Sequence, residues 1–157
     1  MSEQLTHDTI SISKTIKATV EQVFAAWEDP NARTIWGPPS DDEAIEFVEN
    51  DFRVGGIDVH LCGQKDDLRF QVETRYYEIN SPNLLIFTEC VKSENAPLST
   101  SLITVAIAGN GSLTELSVTI QIASLVGSDM IKGTRSGWQI AISNLAAHLE
   151  TSTRETQ

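Results

Sequence analysis

The sequence is short of basic residues. It contains 11 Lys and Arg against 22 Asp and Glu, which gives a formal net charge of −11 at pH 7 and an isoelectric point near 4.5. A field of this sign repels phosphate backbones and anionic lipid surfaces. Nucleic acid is therefore not expected as a partner.

Cysteine is also scarce. Cys62 and Cys90 stand 28 positions apart, and no further Cys or His lies at a metal-ligand spacing, so neither a metal nor another cofactor is predicted. Isolated cysteines of a cytosolic protein are usually reduced and packed as small apolar groups. The sequence does not decide whether they form a disulfide, because that depends on their Cα separation.

Long apolar runs are missing. No stretch approaches the roughly 18 residues that a membrane-spanning helix needs, and the N-terminus MSEQLTHDT has neither the basic region nor the apolar core of a signal peptide. We expect a cytoplasmic protein with no membrane insertion. The sequence also lacks a Gly-rich phosphate loop and a nucleophile elbow, so it names no reaction.

Length and composition are those of an ordinary globular chain. The 157 residues are 40% hydrophobic and 21% charged, and a chain of this length usually forms about one domain. Residues 1–157 are therefore predicted to be a single domain, with an ordered core of about residues 9–150.

The longest helical pattern lies near the C-terminus, over residues 128–150. Its apolar residues recur at the three- and four-residue steps that align on one helix face, namely Met130, Ile131, Trp138, Ile142, Leu145 and Leu149. Gly133 and Gly137 interrupt this helix at a cost of about 1 kcal/mol each relative to Ala. A close approach to another element, or a kink, is the expected reason.

Two short helices are predicted after the first strand. Thr19 with Gln22 has the spacing of a capping box, and Asp29 before Pro30 suits the start of a second helix that runs to about Trp36. The Pro-rich segment 37–39 ends it.

Period-two alternation predicts seven strands, at residues 9–17, 43–49, 57–62, 68–79, 84–91, 100–108 and 113–122. The alternation changes phase between Arg75 and Tyr77, which indicates a β-bulge. Gly109-Asn110-Gly111-Ser112 predicts a tight hairpin, whereas residues 92–98 are interpreted as a loop. Gly55 and Gly56 favour a positive φ or a close backbone approach. The order of elements predicts an α+β fold, in which a curved antiparallel sheet of six to seven strands covers the C-terminal helix.

In the same order and spacing, several short motifs resemble the START-like (SRPBCC) superfamily with its helix-grip fold, and within it the family of the activator of Hsp90 ATPase homologue 1. They are Val20-x-x-Val23-Phe24-x-x-Trp27, Trp36, Asp51-Phe52-Arg53-Val54-Gly55-Gly56, Tyr77-Glu78-Ile79-x-x-Pro82-x-x-Leu85-x-Phe87-Thr88, Gly111-x-x-Thr114-x-Leu116, and Gly137-Trp138 with Leu145.

The resemblance implies a deep, largely apolar cavity between the long helix and the sheet. Superfamily members bind lipids, sterols, polyketides or hormones, and some are cyclases or aromatases. The family name also suggests a chaperone partner, but this is an analogy only, since the activator's separate N-terminal domain has no counterpart here. The family has no invariant catalytic set to carry over.

Strand and helix parity place a set of mainly apolar side chains around such a cavity: Trp36, Ile57, Val59, Phe70, Val72, Tyr77, Phe87, Glu89, Ile103, Val105, Trp138 and Ile142. A lining of this kind suits a small hydrophobic molecule in a volume of roughly 300–1,000 Å³.

Glu89 is the polar member of that set. A carboxylate on the inner face is partly desolvated, so its pKa should be raised unless it pairs with Tyr77, Arg75 or Arg135. These residues make Glu89, Tyr77 and Arg75 the candidates for acid–base catalysis, although a structural pair is the simpler interpretation. Asp58 and His60 share a strand face, where the acid could orient the imidazole as a general base. That face opposes the apolar Ile57, Val59 and Leu61, however, so the solvent side is the simpler interpretation.

Three functions follow from these patterns. Binding of a small hydrophobic ligand is preferred, because the polar residues do not converge as a catalytic set would. An enzyme of the cyclase, aromatase or hydrolase kind is the first alternative, and a chaperone-related co-regulator is the second. An exposed strand edge or helix leaves a homodimer open.

Overall fold

The computed structural model describes residues 4–155, with side chains through residue 151. These residues form seven strands, β1 Thr6–Ile16, β2 Glu43–Glu49, β3 Ile57–Gln64, β4 Asp67–Asn80, β5 Leu84–Ser93, β6 Ala96–Asn110 and β7 Leu113–Ser124, and three helices, α1 Val20–Glu28, α2 Pro30–Trp36 and α3 Ser128–Glu155. The predicted α+β class and helix-grip arrangement are confirmed. Strand β1 begins three residues before the predicted start of the ordered core, and residues 1–3 lie outside the described part.

All seven strands belong to one antiparallel sheet with the order β1-β7-β6-β5-β4-β3-β2. The chain runs from β2 to β7 through successive hairpins, and β1 then pairs with β7. Helices α1 and α2 connect β1 to β2, at opposite edges of the sheet. Helix α3 crosses the inner face of the curved sheet.

The predicted helix starts are confirmed. The Thr19 hydroxyl accepts a hydrogen bond from the Gln22 amide, and the Gln22 side chain accepts one from the Thr19 amide, which completes the capping box. The Asp29 carboxylate accepts the Asn31 amide at 2.9 Å, and Pro30 occupies the first turn of α2. These two caps fix the direction in which α2 leaves α1.

The predicted loop at residues 92–98 is wrong. Strands β5 and β6 continue to Ser93 and from Ala96, and a two-residue turn joins them. Glu94 and Asn95 both have positive φ, of 53° and 66°, which matches the twist of the flanking strands. Glutamate is unusual at such a position, so the sequence carried a weak turn signal. The hairpin at Gly111, with φ of 68°, and the bulge between Tyr76 and Glu78 are confirmed.

The predicted orientation of β3 is also wrong. Asp58, His60 and Cys62 lie on the inner face, opposite Thr74, Val72 and Phe70 of β4, whereas Ile57, Val59 and Leu61 lie half-buried on the outer face. Asp58 is 0% exposed. The charged side chain points inward, against the usual pattern of apolar residues inside and charged residues outside, because α2 supplies a buried cationic partner. Strand alternation alone does not reveal that partner.

The paired glycines behave as expected. Gly55 has a φ of +83°, and a Cβ on Gly56 would lie 2.1 Å from the carbonyl oxygen of Asp51. For the helix glycines, the expected close approach is wrong. A Cβ on Gly133 or on Gly137 would meet no heavy atom within 4 Å.

The two halves of the interior differ. Toward β1, β7 and β6 the space under α3 is filled by fully buried aliphatic side chains, including Ile103, Val105, Ile120, Ile142 and Leu145. Toward β3, β4 and β5 the sheet and α3 separate around a cavity. Within the described residues, no helix has the length and apolarity that crossing a membrane requires.

Candidate functional site

A cavity of about 240 Å³ lies between the inner face of β3–β5, helix α2 and the first half of α3. Six of the chain's ten aromatic residues line it, including all three tryptophans: Trp27, Trp36, Phe47, Tyr76, Phe87 and Trp138. Trp27 and Trp36 pack edge to face at 5.0 Å, and the Trp36 indole donates to the Ala26 carbonyl at 3.0 Å. The walls are thus rigid and mostly apolar.

One face of α3 forms the roof. Thr134, Gly137, Trp138 and Ala141 line the cavity, at the spacing that a helix brings to one side. Gly137 leaves room there, because no heavy atom occupies the place of its missing Cβ.

The floor carries a row of polar residues that runs across four strands. Asp58 of β3 pairs with Thr74 of β4, Thr74 with Glu89 of β5, and Glu89 with Ser101 of β6. Opposed residues of neighbouring antiparallel strands point to the same face, so all four lie on the inner side. Thr74 and Ser101 are buried, and Glu89 is half-buried.

Asp58 is the most constrained member of this row. One carboxylate oxygen accepts from the Asn50 amide group at 3.0 Å and from the Asp51 backbone N–H at 2.8 Å. The other accepts from Arg33 Nη1 at 3.2 Å and from the Tyr76 hydroxyl in a short hydrogen bond. Four donors compensate the burial of its charge.

Arg33 is the cation of this cluster. Its side chain is only 12% exposed, and its guanidinium lies 4.5 Å above the ring of Phe47. Nη1 is committed to Asp58 and Tyr76, but Nε and Nη2 are buried and have no hydrogen-bond partner among the described residues. Buried donors are rarely left unpaired, which marks this end of the molecule as unusual.

Burial shifts the acid–base equilibria of the neighbouring groups. Desolvation, followed by the Arg33 charge, lowers the pKa of His60 to about 4, and desolvation raises the pKa of the Cys62 thiol to about 11. Desolvation also raises the pKa of Tyr76. At neutral pH all three are therefore uncharged.

His60 and Asp58 do not form an acid–base pair. Both oxygens of Asp58 are occupied by other donors, and the buried Nδ1 of His60 has no partner in the described part of the chain. The His60 ring instead packs on Phe47, with centroids 5.3 Å apart. The predicted exposure of Asp58 and His60 on the solvent side is wrong.

Glu89 differs from Asp58 because no side chain in the described residues donates a hydrogen bond to its carboxylate. Burial raises its pKa from 4.5 to about 7, an effect that the Arg33 charge opposes and the Asp58 charge reinforces. Its predicted partners lie elsewhere. Arg135 pairs with Asp8 at 2.8 Å, and Arg75 lies 5.8 Å from the ring of the outward-facing Tyr77.

The predicted lining residues separate into three groups. Those at the cavity are Trp36, Val72, Phe87, Glu89 and Trp138. Those on the inner side but away from the cavity are Phe70, Ile103, Val105 and Ile142, and the last three belong to the packed core. Those on the outer face, where the prediction of an inward position is wrong, are Ile57, Val59 and Tyr77, and Tyr77 is 55% exposed. Ligand binding by the first group stays a prediction.

Sequence reasoning missed several residues of the cavity, notably Arg33, Phe47, His60, Thr74 and Tyr76. Thr74 shares strand parity with Val72, which would have placed it on the inner face. The bulge follows Tyr76 rather than preceding it, so Tyr76 and not Tyr77 points inward. Nothing in the spacing of Arg33 pointed to the sheet.

A larger, open groove of about 1000 Å³ lies on the surface beside the C-terminal half of α3. Trp36, Pro39 and Ile45 border both this groove and the cavity. The Asn144 side chain donates to the Pro38 carbonyl at 3.1 Å, which ties this wall to α3. The groove contains none of the buried polar row. Within the described residues, no group of three or more His, Cys, Asp or Glu side chains could hold a metal ion.

A curved antiparallel sheet that grips a long C-terminal helix defines the helix-grip class. The chain belongs to the activator of Hsp90 ATPase homolog 1-like family, whose model matches residues 17–150. The family resemblance found in the sequence motifs is thereby confirmed.

Solved structures show the same fold. An uncharacterized protein from Rhizobium leguminosarum is similar with a TM-score of 0.79 and 26% identity, over 94% of this chain and 97% of that chain. The Mll3558 protein from Rhizobium loti is similar with a TM-score of 0.76 and 28% identity, over 92% of this chain and 99% of that chain. An AHSA1-like protein from Aeromonas hydrophila has a TM-score of 0.71 and 23% identity, over 93% of this chain and 94% of that chain. At this identity the similarity supports the fold alone. No curated protein matches the sequence.

Proposed function

We propose that this protein binds a small, mainly apolar molecule, about one ring in size, in the cavity between α3 and β3–β5. The observation that carries the proposal is the aromatic lining. A chain with only 6% aromatic residues concentrates six of them around a space of about 240 Å³. Stable apolar cavities of this kind are characteristic of binding sites for small molecules.

The volume limits the ligand. It lies between an engineered cavity of roughly 150 Å³, which takes up benzene, and the lower limit of roughly 300 Å³ for pockets that hold drug-sized molecules. The lipid-, sterol- or polyketide-like ligands of the wider superfamily have several rings or long chains. A cavity of about 240 Å³ suits only a fragment of such a molecule.

Gly137 supports the same interpretation. A glycine inside a helix destabilises it by about 1 kcal/mol relative to Ala, yet an added Cβ at residue 137 would meet no heavy atom within 4 Å. Packing therefore does not require glycine there. Its effect is to enlarge the roof of the cavity.

Calorimetric titration with toluene and with cholesterol tests the proposal. We expect saturable binding of toluene and none of cholesterol. Gly137→Leu should weaken toluene binding at least about tenfold, because the new side chain enters the cavity. Gly133→Leu is the matched control, since Gly133 lies on the same helix, exposed and away from the cavity. Equal affinities in all three proteins, or no binding to the wild type, would refute cavity binding.

Catalysis is the second candidate, and one observation favours it. Glu89 reaches the cavity and has a pKa of about 7, at which a carboxyl group can both donate and accept a proton under neutral conditions. Tyr77 and Arg75 point away from the cavity, so they are no longer candidates for acid–base catalysis there. If a cyclase, aromatase or hydrolase reaction occurs there, Glu89→Gln should abolish turnover of a substrate that still binds. Unchanged turnover in that variant would exclude the acid–base role.

A chaperone-related role rests on the family name alone and ranks third. A purified Hsp90-type ATPase offers a direct assay. Stimulation of its turnover by this protein would support the role, and neither binding nor stimulation would remove it.

A further inference from the structure

We infer that the cavity selects a small amine in its ammonium form, with Glu89 as its counter-ion and the surrounding aromatic rings as a cage for the cation. This inference rests on the proposed function, since it names the class of the ligand that the cavity takes. Two observations support it: the charged groups at the cavity do not balance, and a ligand can reach only some of them.

The charged cluster at the cavity, formed by Arg33, Asp58 and Glu89, has one more carboxylate than it has cations. Arg33 and Asp58 neutralise each other in a direct ion pair at 3.2 Å, and Asn50 and the Asp51 amide complete the bonding of Asp58. Glu89 has no such partner within the described residues, although it lines the same cavity. An ammonium group placed beside it would pair the remaining charge.

The surroundings of Glu89 suit a cation rather than a second polar side chain. Its neighbours across the strands are Thr74 and Ser101, which offer hydroxyl oxygens as acceptors. Phe87 precedes it on the same face of β5, and Trp138 of α3 lines the same cavity. Aromatic faces attract cations, most strongly where water is excluded, and tryptophan is the best of them.

An anionic ligand fits less well, despite the unpaired nitrogens of Arg33. Nε and Nη2 of that residue each expose less than 1 Å², and the Phe47 ring lies over the guanidinium at 4.5 Å. A carboxylate could reach them only by displacing the wall. It would also add a second negative charge to Glu89. The net charge of −11 of the whole chain acts in the same direction, since it attracts cations and repels anions.

Proton release distinguishes an ammonium ligand from a neutral one. The titratable and charged groups that line the cavity with Glu89 are Arg33 from α2, His60 and Cys62 from β3, and Tyr76 from β4. The charge of the buried Asp58 also acts on Glu89. At pH 6 Glu89 is mainly protonated, because its pKa is about 7, whereas His60 is mainly neutral. A bound ammonium group favours the carboxylate, so binding should release close to one proton from Glu89.

The experiment compares four single-ring probes by calorimetry at pH 8, namely benzylamine, benzyl alcohol, benzoate and toluene. We expect benzylamine to bind at least about tenfold more tightly than benzyl alcohol, and benzoate to bind most weakly. Glu89→Gln should remove the preference for benzylamine over benzyl alcohol, and toluene binding to the same variant reports whether its cavity is still formed. Repeating the benzylamine titration at pH 6 in buffers of different ionisation enthalpy should show the released proton.

The outcomes separate the two proposals. If toluene and benzyl alcohol bind but benzylamine gains nothing, or if its advantage survives in Glu89→Gln, the amine inference is wrong while cavity binding stands. Tighter binding of benzoate would likewise overturn the inference and assign the site to Arg33. If none of the four probes binds, the proposed function fails and the inference fails with it.

Discussion

The two ends of the interior are built by the same sheet and the same helix, yet they satisfy their polar groups differently. At the packed end, formed by β1, β7, β6 and the second half of α3, the buried Thr114 hydroxyl donates to the Ala18 carbonyl and the Ser124 hydroxyl to Gly127. At the cavity end, formed by β3–β5, α2 and the first half of α3, Arg33 and His60 keep buried nitrogens without partners in the described residues.

This difference shows where the fold accepts a cost in stability. Buried polar groups without hydrogen bonds destabilise a protein, and a cavity forfeits dispersion contacts along its walls. Both costs fall at one end, while the other end is filled by aliphatic side chains. Departures from good packing that gather at one place are expected at a functional site.

The largest expected effect comes from breaking the buried ion pair of the cavity end. Asp58→Ala leaves the Arg33 charge buried and unpaired, and should lower the free energy of unfolding by about 3–5 kcal/mol. Urea denaturation measures the change. Asp67→Ala is the control, because it breaks the exposed Arg69–Asp67 pair, whose loss should have little effect. A similar small loss for both variants would show that the buried pair does not hold the cavity end together.

A matched pair of valines compares the two ends directly. Val105→Ala removes two methyl groups from the packed end and should lower the free energy of unfolding by about 2–3 kcal/mol. The loss combines the hydrophobic free energy of the removed groups with the cost of the new cavity. Val72→Ala at the cavity wall should cost about 1 kcal/mol less, since Val72 already lacks neighbours on one side. Thermal and urea unfolding of both variants give the comparison, and equal costs would argue that the cavity is filled by protein in solution.

The raised pKa of Glu89 should be detectable in the pH dependence of the free energy of unfolding. Its pKa is raised from 4.5 to about 7 in the folded state, so the folded protein binds the proton more tightly than the unfolded chain. The contribution of Glu89 is fully present below pH 4.5 and is lost as pH rises through 7. Relative to Glu89→Gln, the wild type should therefore lose on the order of 2 kcal/mol across that window.

His60 acts in the opposite direction, because its pKa is lowered to about 4. Its contribution is present above pH 6.5 and is lost as pH falls towards 4. The difference between the wild type and Glu89→Gln cancels this effect, since both proteins contain His60. A difference that is flat from pH 4.5 to 7 would mean that Glu89 is solvated like an ordinary surface carboxylate.

The smallest effect concerns the helix glycines. Gly133→Ala and Gly137→Ala should each stabilise the protein by up to about 1 kcal/mol, because neither new Cβ meets a neighbour. Only Gly137→Ala should also weaken binding of toluene, since residue 137 alone of the two lines the cavity. Loss of stability in Gly137→Ala would show that α3 lies closer to the sheet in solution.

The sequence predicted local features well. The capping box at Thr19, the Asp29-Pro30 helix start, the Gly111 hairpin and a bulge near Tyr76, although not its exact position, each depend on residues within a few positions of one another. The seven strands and the long helix followed from periodicity, and the family motifs supported the fold. These features arise from backbone geometry and short-range hydrogen bonds, which adjacent residues determine.

The candidate site could be predicted only in part. Trp36, Val72, Phe87 and Glu89 follow from strand parity and the family pattern, but the reversal of β3 does not. It depends on Arg33, which reaches Asp58 across 25 residues and makes a buried carboxylate tolerable. The polar row on the floor likewise requires the register of four strands, which alternation within each strand cannot supply.

The most direct test of the account is a toluene titration followed by methyl resonances in NMR. Cavity binding predicts saturable shifts at Val72, Val91 and Ala141, which line the cavity, and almost none at Val105 or Ile120 of the packed end. Shifts confined to Ala44 and Ala147 would place the ligand in the surface groove instead. That result, or the absence of any saturable shift at the cavity end, would contradict the proposed function.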